Sequence, residues 1–155
     1  MSDSVVSTLL DRRALALDAI AASREDAIRL CGRLLVDVGA VEPGYIDLML
    51  EREQSISTYV GEAVAIPHGT LAGRDLVRRD ALCVARFPAG VDWGGPTVQV
   101  CIGIAAAGDG HLSVLAELAG ILLEPSRAEA LRAADTPEAV WEILAPEAAG
   151  SGAVA

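Results

Sequence analysis

Two histidines carry the most chemistry this sequence offers, and each stands beside a glycine where an apolar run ends or begins. His68 lies in TYVGEAVAIPHGT (58–70) and His111 in GDGHLSVLAELAGIL (108–122). An imidazole titrates near neutral pH, so either could act as a base, a metal ligand or a phosphoryl acceptor. Pro67 stiffens the approach to His68 and removes one backbone donor. Gly69 lets another backbone, or a partner protein, come close to the ring. His111, Leu115, Leu118 and Leu122 recur at i, i+4, i+7 and i+11, which puts His111 in the first turn of a helix on its core-facing side. Asp109 or Gly110 would be the cap. A helix start presents unpaired N–H groups and partial positive charge, where an anion can dock. Taken alone, His68 could equally be a loop residue without a role, and His111 a satisfied, half-buried one.

Arg52 is the third candidate. Tyr45, Leu48, Met49 and Arg52 fall at i, i+3, i+4 and i+7, so the arginine stem lies beside the apolar stripe of a helix. Its guanidinium could clamp an oxyanion in bidentate fashion. The alternative is a local ion pair with Asp47, Glu51 or Glu53 on a solvated face.

Composition narrows the chemistry further. The chain of 155 residues fits one domain and is 52% hydrophobic but only 3% aromatic, so its core must be Ala, Val, Leu and Ile. A net charge of −10 argues against a nucleic-acid surface, which needs clustered cations. All 12 basic residues are arginine. Without lysine there is no Walker-type phosphate loop and no Schiff-base catalysis. Cys31, Cys83 and Cys101 are isolated, which reads as reduced core thiols in an intracellular protein. The N-terminus lacks the apolar core of a signal peptide, and no stretch reaches membrane-span length without a charge or breaker. A cytoplasmic protein is the expectation.

The elements that must position these groups follow a mixed rhythm. ALALDAI (14–20) alternates like a short strand. Ser23 caps a helix running to Gly39, and Pro43 opens a second one through residue 54. Residues 63–67, 81–87 and 97–106 are β-rich runs, the last apolar on both faces like a central strand. Helices follow over 111–124, 126–134 and 136–144, the last capped by Thr136. No repeat or internal linker interrupts the chain. The expectation is an α/β fold, a single-domain α/β/α sandwich with a mainly mixed sheet, spanning residues 1–147 with a disordered tail at 148–155.

The segment MLEREQSISTYVGEAVAIPHGT (49–70) closely resembles the active-site segment of the mannitol/fructose-type enzyme IIA domains of the bacterial phosphoenolpyruvate-dependent sugar phosphotransferase system. An acidic residue, Glu53, is followed after six residues by Val60, Gly61, Val64, Ala65, Ile66, Pro67, His68 and Gly69, matching the family pattern throughout. The likeness extends over roughly residues 15 to 143 and is nearest the mannitol branch. It implies that His68 accepts a phosphoryl group from the histidine-containing phosphocarrier protein HPr and passes it to a cysteine of an EIIB domain, and so to sugar entering through the membrane EIIC component. It implies further that His111 is the second active-site histidine and that Arg52 lies near the phosphate. No cofactor or metal is implied. Loose, in-line phosphoryl transfer asks the host mainly to position the group and balance charge. Arg52, backbone N–H groups at 69–70 and the helix start at 111 could do so, and an apolar rim around His68 would serve two successive partners.

Two other readings remain. A regulatory protein of the nitrogen-linked phosphotransferase type would share His68 and act by phosphorylation-dependent binding. A metal-dependent hydrolase would need further ligands, and His68 and His111 have no such spacing.

Overall fold

The structure, a computed structural model, describes residues 5–107 and 110–144. Its elements in order are α1 (Val5–Leu9), β1 (Leu10–Ala16), α2 (Arg24–Asp37), α3 (Tyr45–Ser55), β2 (Tyr59–Gly61), β3 (Val64–Ala65), β4 (Ala81–Asp92), β5 (Thr97–Ala105), α4 (Gly110–Leu122), α5 (Pro125–Arg132) and α6 (Pro137–Leu144). A 3-10 turn covers Leu71–Leu76. The five strands form one mixed sheet in the order β1-β4-β5-β3-β2. β1 with β4 and β3 with β5 are parallel; β4 with β5 and β2 with β3 are antiparallel. This is the expected open α/β architecture.

Both sheet faces are covered, and the strand period sorts the side chains between them. Cys83, Ala85, Phe87 and Cys101 face α2 and α3, while Leu82, Val84, Val100, Ile102 and Ile104 face α4, α5 and α6. The α2 side uses small residues, and a Cβ on Gly103 would come within 2.5 Å of Cys83 Sγ and 3.2 Å of Cys31 Cβ. That close approach lets α2 lie tight against the sheet. Ser23 caps α2, its hydroxyl accepting the Asp26 N–H at 3.2 Å, and Thr136 caps α6 through the Ala139 N–H at 3.1 Å.

Four boundaries differ from the expectation. The first strand is residues 10–16 rather than 14–20: Leu10 and Ala14 point inward, whereas Ile20 is exposed. β1 is an edge strand, and Asp11, Arg12 and Arg13 on it discourage further pairing. β4 runs on past residue 87, because Pro88 falls where the pairing slips between Arg86 and Val91 and needs no ladder donor there. The run 63–67 shrinks to two strand residues because the Ile66 N–H turns to the Thr58 carbonyl (3.0 Å) and Pro67 has none to offer. The second helix begins at Tyr45, two residues after Pro43. The expected tail at 148–155 lies outside the described residues.

Candidate functional site

His68 sits just beyond β3, where the chain leaves the sheet. The Ile104 N–H donates to the Pro67 carbonyl at 2.9 Å, holding the approach against β5. The ring folds back so that Nδ1 lies 2.9 Å from the Ile66 carbonyl oxygen. A carbonyl oxygen can only accept, so Nδ1 carries the proton of the neutral ring and Nε2 keeps its lone pair. Pro67 is buried and the imidazole half-buried.

Gly69 is buried for a reason the sequence did not reveal. A Cβ there would stand 2.5 Å from Cε1 of Tyr45, a side chain only 1% exposed. The glycine admits the tyrosine ring rather than a partner. Its N–H donates to the Tyr45 hydroxyl at 2.9 Å, so this amide is not free to bind an oxyanion as the sequence suggested. Burial pushes the Tyr45 pKa up, keeping the phenol neutral at pH 7. Beside Gly69, the Thr70 hydroxyl oxygen is buried without a hydrogen-bond partner among the described residues.

An open apolar groove of about 330 Å³ has Ile66, two residues before the histidine, in its lining. Val60 and Ile66 form one wall, and Leu115, Leu118, Leu122 and Leu123 of α4 and its end form the other. Ile66 therefore serves twice, its carbonyl holding His68 and its side chain lining the groove. Val60 is 45% exposed and Leu123 80% exposed, a patch that no element among the described residues covers.

Arg52 lies near the C-terminal end of α3, its guanidinium donating to the Ile56 carbonyl at 2.6 Å. It forms no hydrogen bond to His68 and no ion pair among the described residues, so the alternative of a local pair with Asp47, Glu51 or Glu53 is not seen there. Glu53 is instead buried. Its carboxylate accepts the Thr58 N–H at 3.1 Å, the Thr58 hydroxyl at 2.5 Å and the Trp93 indole N–H at 2.9 Å. The segment from Arg52 to His68 is thus a run of contacts: Arg52 to Ile56, Glu53 to Thr58, Thr58 to Ile66, and Ile66 to His68.

The chain and its fold have counterparts among known proteins. The family model described as Phosphoenolpyruvate-dependent sugar phosphotransferase system, EIIA 2 matches residues 8–146. The chain belongs to the EIIA 2 family. It is 40% identical to the mannitol-specific phosphotransferase enzyme IIA component of Halalkalibacterium halodurans, covering 88% of this chain and 94% of that one. It is 44% identical to the multiphosphoryl transfer protein of Salmonella typhimurium over 82% of this chain, and spans about a third (34%) of that protein's length. Among solved structures, the complex of enzyme IIAMTL and phosphorylated enzyme IIBMTL from Escherichia coli matches with a TM-score of 0.83 and 35% identity, covering 89% of this chain and 99% of that one.

In this EIIA 2 chain His111 stands in the first turn of α4, and its side chain lies outside the described residues, as does Asp109. Of the stripe that begins at His111, Leu118 and Leu122 are buried, as expected. Val114, Leu118 and Ile121 form the buried line, while Leu115 is half-buried and borders the groove. The three cysteines are buried, and burial drives the Cys83 thiol well above its ordinary pKa. Among the described residues no group of three His, Cys, Asp or Glu side chains could hold a metal ion. Nor is any described helix long and apolar enough to cross a membrane. Tyr45 and Trp93, which shape the site, left no signal beyond their apolar character. Glu53 was visible as a motif position without a role.

Proposed function

We propose that this EIIA 2 chain is a phosphoryl carrier of a phosphoenolpyruvate-dependent sugar phosphotransferase system, with His68 as its acceptor. The observation that carries the reading is the Nδ1–H···O=C bond to Ile66, which assigns phosphoryl acceptance to Nε2, while Ile66 itself lines the groove. In the first step that lone pair bonds to the phosphorus of a phosphohistidine on HPr. The donor's P–N bond breaks, and its electron pair returns to the donor ring. The His68 ring, now bonded at both nitrogens, gains positive charge that the Ile66 carbonyl stabilises. In the second step a thiolate on an EIIB domain attacks the same phosphorus, the P–N bond to His68 breaks, and the neutral Nδ1–H ring is restored.

The surrounding residues fit these demands. Arg52 is tied by one hydrogen bond to an exposed carbonyl, and from there it would swing to the equatorial oxygens of the phosphoryl group. The Thr70 hydroxyl is a side-chain donor beside Gly69 with no partner among the described residues. The helix start that bears His111 adds partial positive charge, and His111 would hydrogen-bond the phosphoryl oxygens. The groove would seat the apolar surfaces of HPr and EIIB in turn, the second partner favoured by the IIA–IIB complex of the Escherichia coli neighbour. Mannitol or a related sugar is the substrate of the whole system, favoured by the mannitol-specific relative, and EIIC is reached only through EIIB. The chain would act in the cytoplasm, where those partners present their phosphoryl sites.

The test is incubation with phosphoenolpyruvate, enzyme I and HPr, read by intact mass and acid stability. We expect an acid-labile gain of one phosphoryl group that is absent in His68→Ala. In His111→Ala the group should still be accepted but passed on poorly to EIIB. Full phosphorylation of His68→Ala would sink the assignment.

A further inference from the structure

β3 pairs with β5 through Val64↔Val100 and Ala65↔Cys101, and in the same register His68 stands opposite Ile104. A regular parallel rung at that point consists of two backbone bonds. The Ile104 N–H donates to the carbonyl before His68, and the Ile104 carbonyl accepts the N–H after it. The first bond is present, to Pro67 at 2.9 Å. The second is routed through a side chain: the Gly69 N–H donates to the Tyr45 hydroxyl at 2.9 Å, and that hydroxyl donates to the Ile104 carbonyl at 3.1 Å.

We propose that the Tyr45 hydroxyl is a wedge inserted into the last rung of the β3–β5 ladder, and that Tyr45 is thereby a positioning residue for His68. Two hydrogen bonds in series join the Gly69 nitrogen to the Ile104 oxygen through the Tyr45 hydroxyl, in place of a single short backbone bond. The ring lies against Gly69, where even a Cβ would collide, so the hydroxyl is held at this point of the ladder. Routing the bond through the tyrosine on one side of His68 and not the other turns residue 68 away from regular strand geometry. A residue in a regular strand holds its side chain roughly perpendicular to the sheet, away from its own chain's carbonyls. Only the turned backbone lets the imidazole fold back onto the Ile66 carbonyl. The wedge therefore fixes which ring nitrogen bears the proton and where the other one points. It also ties the His68 segment to Ile104, on the strand that leads to α4.

This inference rests on His68 as the phosphoryl acceptor, and Tyr45→Phe tests it by keeping the ring and deleting the hydroxyl. The ring ¹⁵N shifts of His68 report the tautomer, and steady-state transfer from phosphorylated HPr reports the chemistry. We expect a single Nδ1–H tautomer in the wild type and a mixture in the variant. kcat should fall by about tenfold to a hundredfold, the scale of a misplaced reactive group, with KM for phosphorylated HPr within about twofold. A folded variant with unchanged tautomer and unchanged kcat overturns the proposal. If the wild type accepts no phosphoryl group, the carrier reading fails while the nitrogen shifts still decide the wedge. Should the variant not fold, the wild type decides it: the Tyr45 hydroxyl proton should exchange slowly and show a through-space cross-peak to the Gly69 amide. Absence of that cross-peak from an assigned spectrum also overturns the wedge.

Discussion

The indole N–H of Trp93 donates to the Glu53 carboxylate at 2.9 Å, joining the end of α3 to the turn between β4 and β5. Glu53 is 7% exposed, and the same carboxylate holds Thr58, from which the chain turns into the β2–β3 hairpin below His68. A buried carboxylate is tolerable only when its oxygens are satisfied, and here three donors satisfy it. One acidic side chain thus fixes three segments that must agree before His68 can be placed.

Glu53→Gln replaces one of those oxygens with a donor, leaving the Trp93 or the Thr58 N–H facing another N–H. We expect a loss of about 2 kcal/mol, the cost of one unsatisfied buried donor. Urea unfolding followed by tryptophan fluorescence measures it. A loss below about 0.5 kcal/mol would mean the carboxylate's bonds do not hold this end of the site.

Arg52→Ala separates a helix-end role from a phosphoryl role. Losing the bond to the Ile56 carbonyl should lower stability by about 1 kcal/mol or less. Loss of charge stabilisation in transfer should slow kcat at least about tenfold. Unchanged transfer would leave Arg52 as no more than a cap on its own helix.

Leu123→Glu probes the groove. The side chain is 80% exposed, so stability should change by less than about 0.5 kcal/mol. An ionised group on an apolar docking surface should raise KM for phosphorylated HPr about fivefold or more, with kcat preserved. Stopped-flow or steady-state transfer kinetics at varied HPr concentration give both numbers. An unchanged KM would place HPr elsewhere on the molecule.

Ala63→Gly should stabilise the protein. Glu62 and Ala63 form the tight β2–β3 turn with φ of 56° and 62°, a left-handed conformation that L side chains resist. Arg132 holds that turn by donating to the Glu62 carbonyl at 2.8 Å. Glycine relieves roughly 1–2 kcal/mol of strain and returns part of it as chain entropy in the unfolded state. A net gain of about 0.5–1 kcal/mol, or a few degrees in Tm, is expected from calorimetry. A lower Tm would show that the Ala63 methyl contributes more by packing than its backbone loses by strain.

Much of this molecule could be read along the chain. Ser23 and Thr136 announced their helices because a cap is a local hydrogen bond between residues three apart. The doubly apolar run at 97–106 announced the central strand because burial on both faces leaves no polar position. β1 was misplaced because an alternating run of small residues gives the same pattern in several registers. β4 was cut short because a proline looks like a stop unless its missing donor is known to fall at a slip in the pairing.

The site divides in the same way. The sequence by itself determined the family, the candidate residues His68, His111 and Arg52, and the exclusion of lysine chemistry, since these rest on residue type and spacing alone. Only the tertiary structure decided that the His68 Nδ1–H donates to the Ile66 carbonyl, that Gly69 makes room for Tyr45, and that Glu53 is an internal fastener. Each of these joins atoms brought together by the turn of the chain or by residues tens of positions apart. Hydrogen bonds and ring contacts depend on ångström-scale placement, which the pattern of residue types along a chain does not encode.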